Sequence, residues 1–264
     1  MVLMKECAFP SDETYSDNHG LLLLSKIPLS NTVVRRYHPG VVEIISRGYL
    51  AADIEELGTV TCTHLSTQFG LPYYVGPPQF NNFEELQGNE TMQLLQTYPA
   101  TSDKHSILLG DFNQGPAVFS VLANRNLSGQ YESNYWKVIN SGYISPYVDD
   151  VRLCTSCGEN GLNNRTGSSD STILDHIYVR NGSRTKVSNV QRIWDSESAV
   201  GSWPLSDHYG VQLTYLGDEV DVTTQTDLTT ETMKPTNETQ ISSAMTSVAF
   251  CLCNIFFISF LVLF

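Results

Sequence analysis

Basic residues are scarce in this chain of 264 residues, which has 15 lysines and arginines against 28 aspartates and glutamates. The formal net charge is −13, and no cluster of lysine and arginine stands out along the sequence. An acidic chain without a basic stripe is a poor match to proteins that hold nucleic acid tightly through phosphate contacts. The charge does not exclude a nuclease, because a bound cation and a few local arginines can offset it.

The N-terminus lacks a basic segment followed by an apolar segment, the pattern of a secretory signal peptide. Five acceptor sequons for N-linked glycans nevertheless favour a secreted or surface protein. Their asparagines are Asn89, Asn126, Asn164, Asn181 and Asn237. The two observations agree if the N-terminus is incomplete, and we therefore expect further sequence, with a signal peptide, upstream of Met1.

The C-terminal part divides into two segments of unusual composition. Residues 217–241 form an expected stalk, with eight threonines between positions 218 and 240, too polar to bury a core. Residues 242–264 begin with small residues and end in the uncharged run Val248–Phe264. This arrangement is typical of a GPI-attachment signal, which is cleaved off. The alternative is a single C-terminal transmembrane anchor, although the run is short and has no basic flank. Either anchor predicts a protein on the extracellular face of the cell membrane.

Cysteine is sparse, and the chain has no second close pair that would complete a zinc site with Cys154 and Cys157. This Cys-Thr-Ser-Cys segment fits a zinc knuckle, a redox pair or a local disulfide, and the sequons favour the disulfide. The pairing of Cys7 and Cys62 stays open. Two further cysteines lie in the apolar tail.

Four apolar or β-branched segments carry polar side chains where a strand would begin or end. They are Gly58–Leu65 with His64, Ser106–Asn113 with Asp111 and Asn113, Ile173–Val179 with Asp175, and Leu205–Tyr215 with Asp207 and His208. Hydrolysis of an ester requires such a set: carboxylates to hold a cation, a carboxamide to hold an oxyanion and a histidine to move a proton. Each segment alone has an ordinary alternative, because Asp and Asn at strand ends are common turn formers.

Four other histidines are not assigned to the site. Strand alternation turns His176 to the face opposite Asp175. His19, His38 and His105 belong to no motif and are interpreted as surface or loop residues.

In order and spacing, these segments resemble the endonuclease/exonuclease/phosphatase superfamily, which includes DNase I-like nucleases, sphingomyelinases and inositol-polyphosphate phosphatases. The resemblance covers roughly residues 18 to 216. It implies that His64 binds the scissile phosphate or protonates the leaving oxygen, that Asp111 orients or deprotonates the attacking water and that Asn113 holds a phosphoryl oxygen. It further implies that Asp175 supports the phosphate site and that His208 is a general base or transition-state stabiliser.

The resemblance also implies a divalent metal, with Asp207 as a ligand or as the residue that fixes the tautomer of His208. Oxygen ligands favour Mg²⁺, with Mn²⁺ or Ca²⁺ as alternatives. The main metal ligand of the family is a glutamate on an early strand, for which Glu6 is a doubtful candidate because it lies close to the next strand. The first strand-helix-strand unit is therefore expected to be missing. Arg47 is a weaker candidate for phosphate binding.

The fold class predicted for residues 1–216 is α+β, a four-layer α/β/β/α sandwich of the DNase I-like type. The clearest helix signal runs from Asn82 to Gln96 and leads into the strand at Ser106. One domain of this length can bury a sizeable core.

Three functions follow from these expectations. The first is a sphingomyelinase-like phosphodiesterase, favoured by the anchor and by the aromatic region Trp194–Trp203, which could touch lipid or simply pack. The second is a surface endonuclease of the DNase I kind. The third is a catalytically inactive binding ecto-domain. The expected partners are a phosphodiester substrate, phospholipid rather than nucleic acid, and the membrane; no obligate protein partner is inferred.

Overall fold

The computed structural model describes residues 21–25, 27–38, 47–55, 57–68, 73–100, 106–166, 170–194, 206–215, 248–253 and 258–263. The strands are β1 Leu21–Ser25, β2 Leu29–Arg36, β3 Gly48–Ile54, β4 Gly58–His64, β5 Ser106–Asp111, β6 Val118–Ser120, β7 Arg125–Leu127, β8 Tyr143–Ile144, β9 Asp175–Arg180, β10 Val187–Ile193, β11 Gly210–Tyr215, β12 Val248–Cys253 and β13 Ile258–Leu263. The α-helices are α1 Phe83–Thr97, α2 Glu132–Asn140, α3 Pro146–Asp150 and α4 Gly161–Thr166, and a 3₁₀ helix covers Asn181–Lys186.

Two mixed sheets form the body of the protein. One has six strands in the order β2-β3-β4-β5-β9-β8, and the other has five in the order β1-β12-β13-β11-β10. Strands β4 and β5 are parallel, whereas β5 and β9 are antiparallel. Buried apolar side chains from both sheets share one core, which includes Leu23, Leu109 and Leu213. Helices α1 and α2 contact each other, and α3 contacts β9 and β10. The predicted α+β sandwich is confirmed.

The helix predicted from Asn82 onward is confirmed as α1. Asn82 is its N-cap residue, and its side chain accepts a hydrogen bond from the backbone N–H of Glu85 at 2.9 Å. An asparagine at this position satisfies a backbone donor that has no partner within the helix.

The C-terminal apolar run pairs within the five-stranded sheet. Strand β12 is antiparallel to β1 and to β13, and β13 is parallel to β11. The sequence predicted an attachment signal or a membrane anchor here, and its cleavage remains a prediction about the mature protein. None of the helices in the described ranges is long and apolar enough to cross a membrane. The predicted stalk, residues 217–241, lies outside the described residues.

Gly110 permits β4 and β5 to approach closely just before the strands end. Its φ is +143°, and a Cβ at this position would collide with the carbonyl oxygen of Thr63. Both the backbone conformation and the missing space therefore require glycine.

Replacing Gly110 by alanine is expected to lower the free energy of unfolding by roughly 2–4 kcal/mol, because the new Cβ forces the two strands apart. Urea unfolding of the full chain measures this loss. The matched control is Gly182→Ala, since a Cβ at Gly182 meets nothing within 4 Å. Equal stability of the two variants would show that the close approach is not required.

Candidate active site

The polar residues at the strand ends lie in one row across the six-stranded sheet. His64, the last residue of β4, is the register partner of Asp111, the last residue of β5. Asp111 is in turn the partner of Asp175, the first residue of β9. On the other side, His64 is paired with Gly48, which follows Arg47. The pairing of the strands thus places residues that are far apart in sequence side by side at one edge.

His208 joins this row from the other sheet. It lies two residues before β11, and its Nδ1 is 2.8 Å from Oδ2 of Asp175. Burial disfavours the charged imidazole, but the carboxylate of Asp175 outweighs burial and raises the pKa of His208 to about 10. Burial, with the nearby charge of Asp111, raises the pKa of Asp175 to about 6 against the opposing effect of His208. At neutral pH the pair is therefore a carboxylate and an imidazolium.

Asp111 is buried and ionised. It accepts a hydrogen bond from the backbone N–H of Asn113 at 2.8 Å, and its Oδ2 lies 3.2 Å from Nε2 of His64. Burial opposes its ionisation, but the contact with His64, the charge of His208 and the N–H of Asn113 lower the pKa of Asp111 to about 2. Asp111 is thus a negative charge held next to the positive charge of His208.

His64 is neutral at physiological pH. Burial, followed by the positive charge of Arg47, lowers its pKa to about 4. A neutral ring that donates from Nε2 to Asp111 leaves Nδ1 as an acceptor. That Nδ1 is buried and has no hydrogen-bond partner within the described part of the chain. Arg47 is itself buried, so its charge acts at short range on the site.

Asn113 closes the loop after β5. Its φ is +49°, a left-handed conformation that asparagine tolerates better than most residues. Its Nδ2 donates to the carbonyl of Leu65 at 3.0 Å and to Oδ2 of Asp111 at 3.2 Å. These bonds link the loop that follows β5 to the loop that follows β4 and orient the carboxamide beside Asp111.

Asp111, Asp175 and His208 form a group that could hold a divalent cation. Each offers one ligand atom, and the three atoms lie within 4.8 Å of one another. Oδ1 of Asp175 is buried and has no hydrogen-bond partner among the described residues, which leaves it available to a cation. The two carboxylates offer the oxygen ligands that hard divalent cations take, and a cation that also bound His208 would compete with its proton.

Asp207 does not fix the ring of His208. That part of the sequence interpretation is wrong, because the carboxylate that contacts Nδ1 belongs to Asp175. Asp207 is half-buried, and its Oδ1 accepts a hydrogen bond from the hydroxyl of Ser206 at 3.3 Å. Its role as a metal ligand remains a prediction. Glu6, the other predicted ligand, lies outside the described residues.

His176, which strand alternation turns to the face opposite Asp175, is a core residue in the structure. It is fully buried, its Nε2 lies 2.8 Å from the carbonyl oxygen of Gln114, and its ring stacks on Tyr178. His38, predicted to be a surface or loop residue, lies in the segment that follows β2. Its side chain is 8% exposed and contacts Glu90 and the ring of Phe80.

Two polar residues of α1 hold the site loops, and the sequence interpretation missed both. Nε2 of Gln87 donates to the carbonyls of Ser66 and Asn113 at 2.9 and 3.0 Å. The carboxylate of Glu90 accepts from the hydroxyl and the backbone N–H of Ser66 at 2.7 and 2.8 Å. The available signal was that both residues lie on the buried face of the helix, three positions apart, where apolar residues are expected.

The predicted disulfide between Cys154 and Cys157 is present, with the two Cα atoms 5.4 Å apart. Cys62 also takes part in a disulfide bond. Of the predicted glycosylation sites, Asn89, Asn126 and Asn181 are exposed.

Comparisons with solved structures identify the fold. No protein-family model matches the chain, and no curated protein matches it in sequence. Among solved structures, a 3'-5' exonuclease from Neisseria meningitidis, NExo, superposes with a TM-score of 0.50 at 14% identity, over 77% of this chain and 84% of its own. The same values hold for a structure described as the 3' phosphatase NExo from Neisseria bound to product DNA hairpin. An AP endonuclease from Archaeoglobus fulgidus reaches 0.48 at 12% identity, over 72% of this chain and 77% of its own.

The two-sheet sandwich with a polar row at the strand ends is the DNase I-like fold. The chain therefore has the fold of the endonuclease/exonuclease/phosphatase superfamily, as the motifs indicated.

Proposed function

We propose that this protein is a divalent-metal-dependent phosphodiester hydrolase. The observation that carries the proposal is the row His64–Asp111–Asp175 across three paired strands, completed by His208 from the facing sheet at 2.8 Å. The arrangement supplies an ionised carboxylate, a neutral imidazole and an imidazolium within one small site. Hydrolysis of a phosphodiester needs an oriented water and neutralisation of charge on the phosphoryl oxygens, and these groups are suited to both.

Each residue has a part in this proposal. Asp111, ionised at neutral pH, orients the attacking water and accepts its proton. His208, protonated and held by Asp175, stabilises the charge that develops on a phosphoryl oxygen. Nδ2 of Asn113 and Nε2 of His64 now face the carboxylate of Asp111, and they would bind the remaining oxygens by exchanging that contact for the substrate. The charge of Arg47 adds to the attraction for phosphate. Asp111 and Asp175 would hold Mg²⁺, which as a Lewis acid polarises the phosphoryl group.

For the substrate, we propose a phospholipid of the sphingomyelin kind. The supporting observation is the hairpin β6–β7, which begins five residues after Asn113 and exposes an apolar tip. Phe119 is 50% exposed, Val121 73% and Leu122 69%. Exposed apolar side chains clustered on one loop are typical of a surface that contacts lipid or another protein. The acidic charge of the chain also disfavours a polyanionic substrate.

A DNase I-like nuclease is the second candidate, favoured by the likeness to the Neisseria exonuclease, of which one structure holds a DNA product. The test compares three substrates with the same preparation of the full chain and Mg²⁺. These are sphingomyelin vesicles, with released phosphocholine measured, supercoiled DNA, and bis(p-nitrophenyl) phosphate. Turnover of vesicles with intact DNA supports the lipid proposal, and nicking without phosphocholine release overturns it. Inactivity on all three would favour a binding ecto-domain.

We also propose that the protein lies outside the cell, glycosylated and held by a GPI anchor. The exposure of Asn89, Asn126 and Asn181 is compatible with glycans at these sites. Phosphatidylinositol-specific phospholipase C should release the protein from expressing cells. Retention on the membrane, with the C-terminal peptide present in the mature chain, would favour a transmembrane anchor instead.

A further inference from the structure

Thr155 lies inside the loop closed by the Cys154–Cys157 disulfide and is completely buried. It is not one of the residues grouped around the candidate cation position. Its hydrogen bonds nevertheless connect it to Asp175 and to Tyr209, the residue that follows His208.

The side chain of Thr155 holds the start of β9. Its Oγ1 accepts hydrogen bonds from the backbone N–H of Leu174 at 3.0 Å and of Asp175 at 3.1 Å. These two hydrogen bonds to one hydroxyl oxygen fix the backbone of Asp175, whose carboxylate contacts His208. Buried N–H groups at the end of a strand need such an acceptor, because pairing with the neighbouring strands does not give every N–H a partner.

The backbone of Thr155 holds the segment that carries His208. Its carbonyl accepts from the N–H of Tyr209 at 2.8 Å, and its own N–H donates to Thr172 at 2.9 Å. The next residue, Ser156, forms single bridges with both Thr172 and His208. One short loop therefore fixes the two chain segments that must meet for the 2.8 Å contact.

The disulfide restricts this loop. Arg192 adds a second restraint, because its Nη1 donates to the carbonyl of Cys154 at 3.2 Å and its guanidinium lies 4.5 Å above the ring of Tyr209. With both ends of the loop fixed, the position of Thr155 relative to β9 and β11 is set by the scaffold rather than by substrate.

We propose that Thr155 is a positioning residue, which sets the contact between Asp175 and His208 through the disulfide-closed loop. The inference rests on the function proposed above for the same site. The Oγ1 of Thr155 should therefore affect the position of His208, although it does not contact that ring.

The test compares Thr155→Val, which keeps the shape but removes the acceptor, with Thr155→Ser, which restores it. Thr172→Val is the matched control, because the hydrogen bonds of Thr172 to the loop are formed by its backbone. On bis(p-nitrophenyl) phosphate, we expect Thr155→Val to lower kcat about tenfold or more with KM nearly unchanged. Thr155→Ser and Thr172→Val should remain within about threefold of the wild type.

A second readout does not depend on activity. The proton on Nδ1 of His208, observed by NMR, reports the hydrogen bond to Asp175, and its resonance should shift or broaden in Thr155→Val but not in Thr155→Ser. An unchanged resonance together with unchanged kcat in Thr155→Val would overturn the inference while leaving the proposed function standing. If the wild type has no activity, the proposed function fails and the resonance alone decides the role of Thr155.

Discussion

Asp111→Asn should lower kcat for phosphodiester hydrolysis by about three orders of magnitude or more. The substitution preserves size but removes the negative charge that lies against His64 and next to Asp175. An amide cannot accept a proton from the attacking water, and it binds a divalent cation more weakly than a carboxylate. The measurement is single-turnover hydrolysis of bis(p-nitrophenyl) phosphate by the purified full chain with Mg²⁺.

The control for this variant is Asp150→Asn, the same chemical change at an exposed position outside the site. It should retain the activity of the wild type, and urea unfolding of both variants shows whether the protein assayed is folded. Near-native turnover by Asp111→Asn in a clean preparation would remove Asp111 from the reaction.

The second large effect concerns the Asp175–His208 pair. We expect His208→Ala and Asp175→Asn each to lower kcat by about two to four orders of magnitude. The double variant should be little worse than the more impaired single variant, because the two side chains act as one hydrogen-bonded unit at 2.8 Å. A double-mutant cycle measures this coupling. Losses that multiply in the double variant would show that the two residues act independently.

Much of the site could be predicted because the ends of the strands place its polar residues. A polar residue at the first or last position of a strand predicts a side chain at the edge of a sheet, and β4, β5 and β9 each follow this rule with His64, Asp111 and Asp175. Strand alternation turned His176 to the face opposite Asp175, and in the structure its ring stacks on Tyr178. The sequence did not show the register of the paired strands, which places these residues opposite one another.

The errors have physical causes. Asp207 and His208 are adjacent, and outside a regular strand no alternation rule indicates which one reaches the partner sheet; the structure gives the contact to His208. Gln87 and Glu90 were missed because their partners lie on distant loops, which no local pattern marks.

The apolar C-terminal run shows another limit of composition. Seventeen uncharged residues fit a cleaved signal or an anchor, yet the same run contains the two strands β12 and β13. A short apolar run does not show whether it is a cleaved signal, a membrane anchor or a strand, because removal of apolar surface from water is favourable in each case.

We propose that Asp111, Asp175 and His208 form a metal-dependent phosphodiester site. The most direct measurement is hydrolysis of bis(p-nitrophenyl) phosphate by the chelator-treated full chain as Mg²⁺ is added back, with wild type and Asp111→Asn in parallel. We expect no turnover without metal, a saturable return of activity in the wild type and a flat response in the variant. Full activity in the presence of chelator, or the same Mg²⁺ response in both proteins, would contradict this proposal.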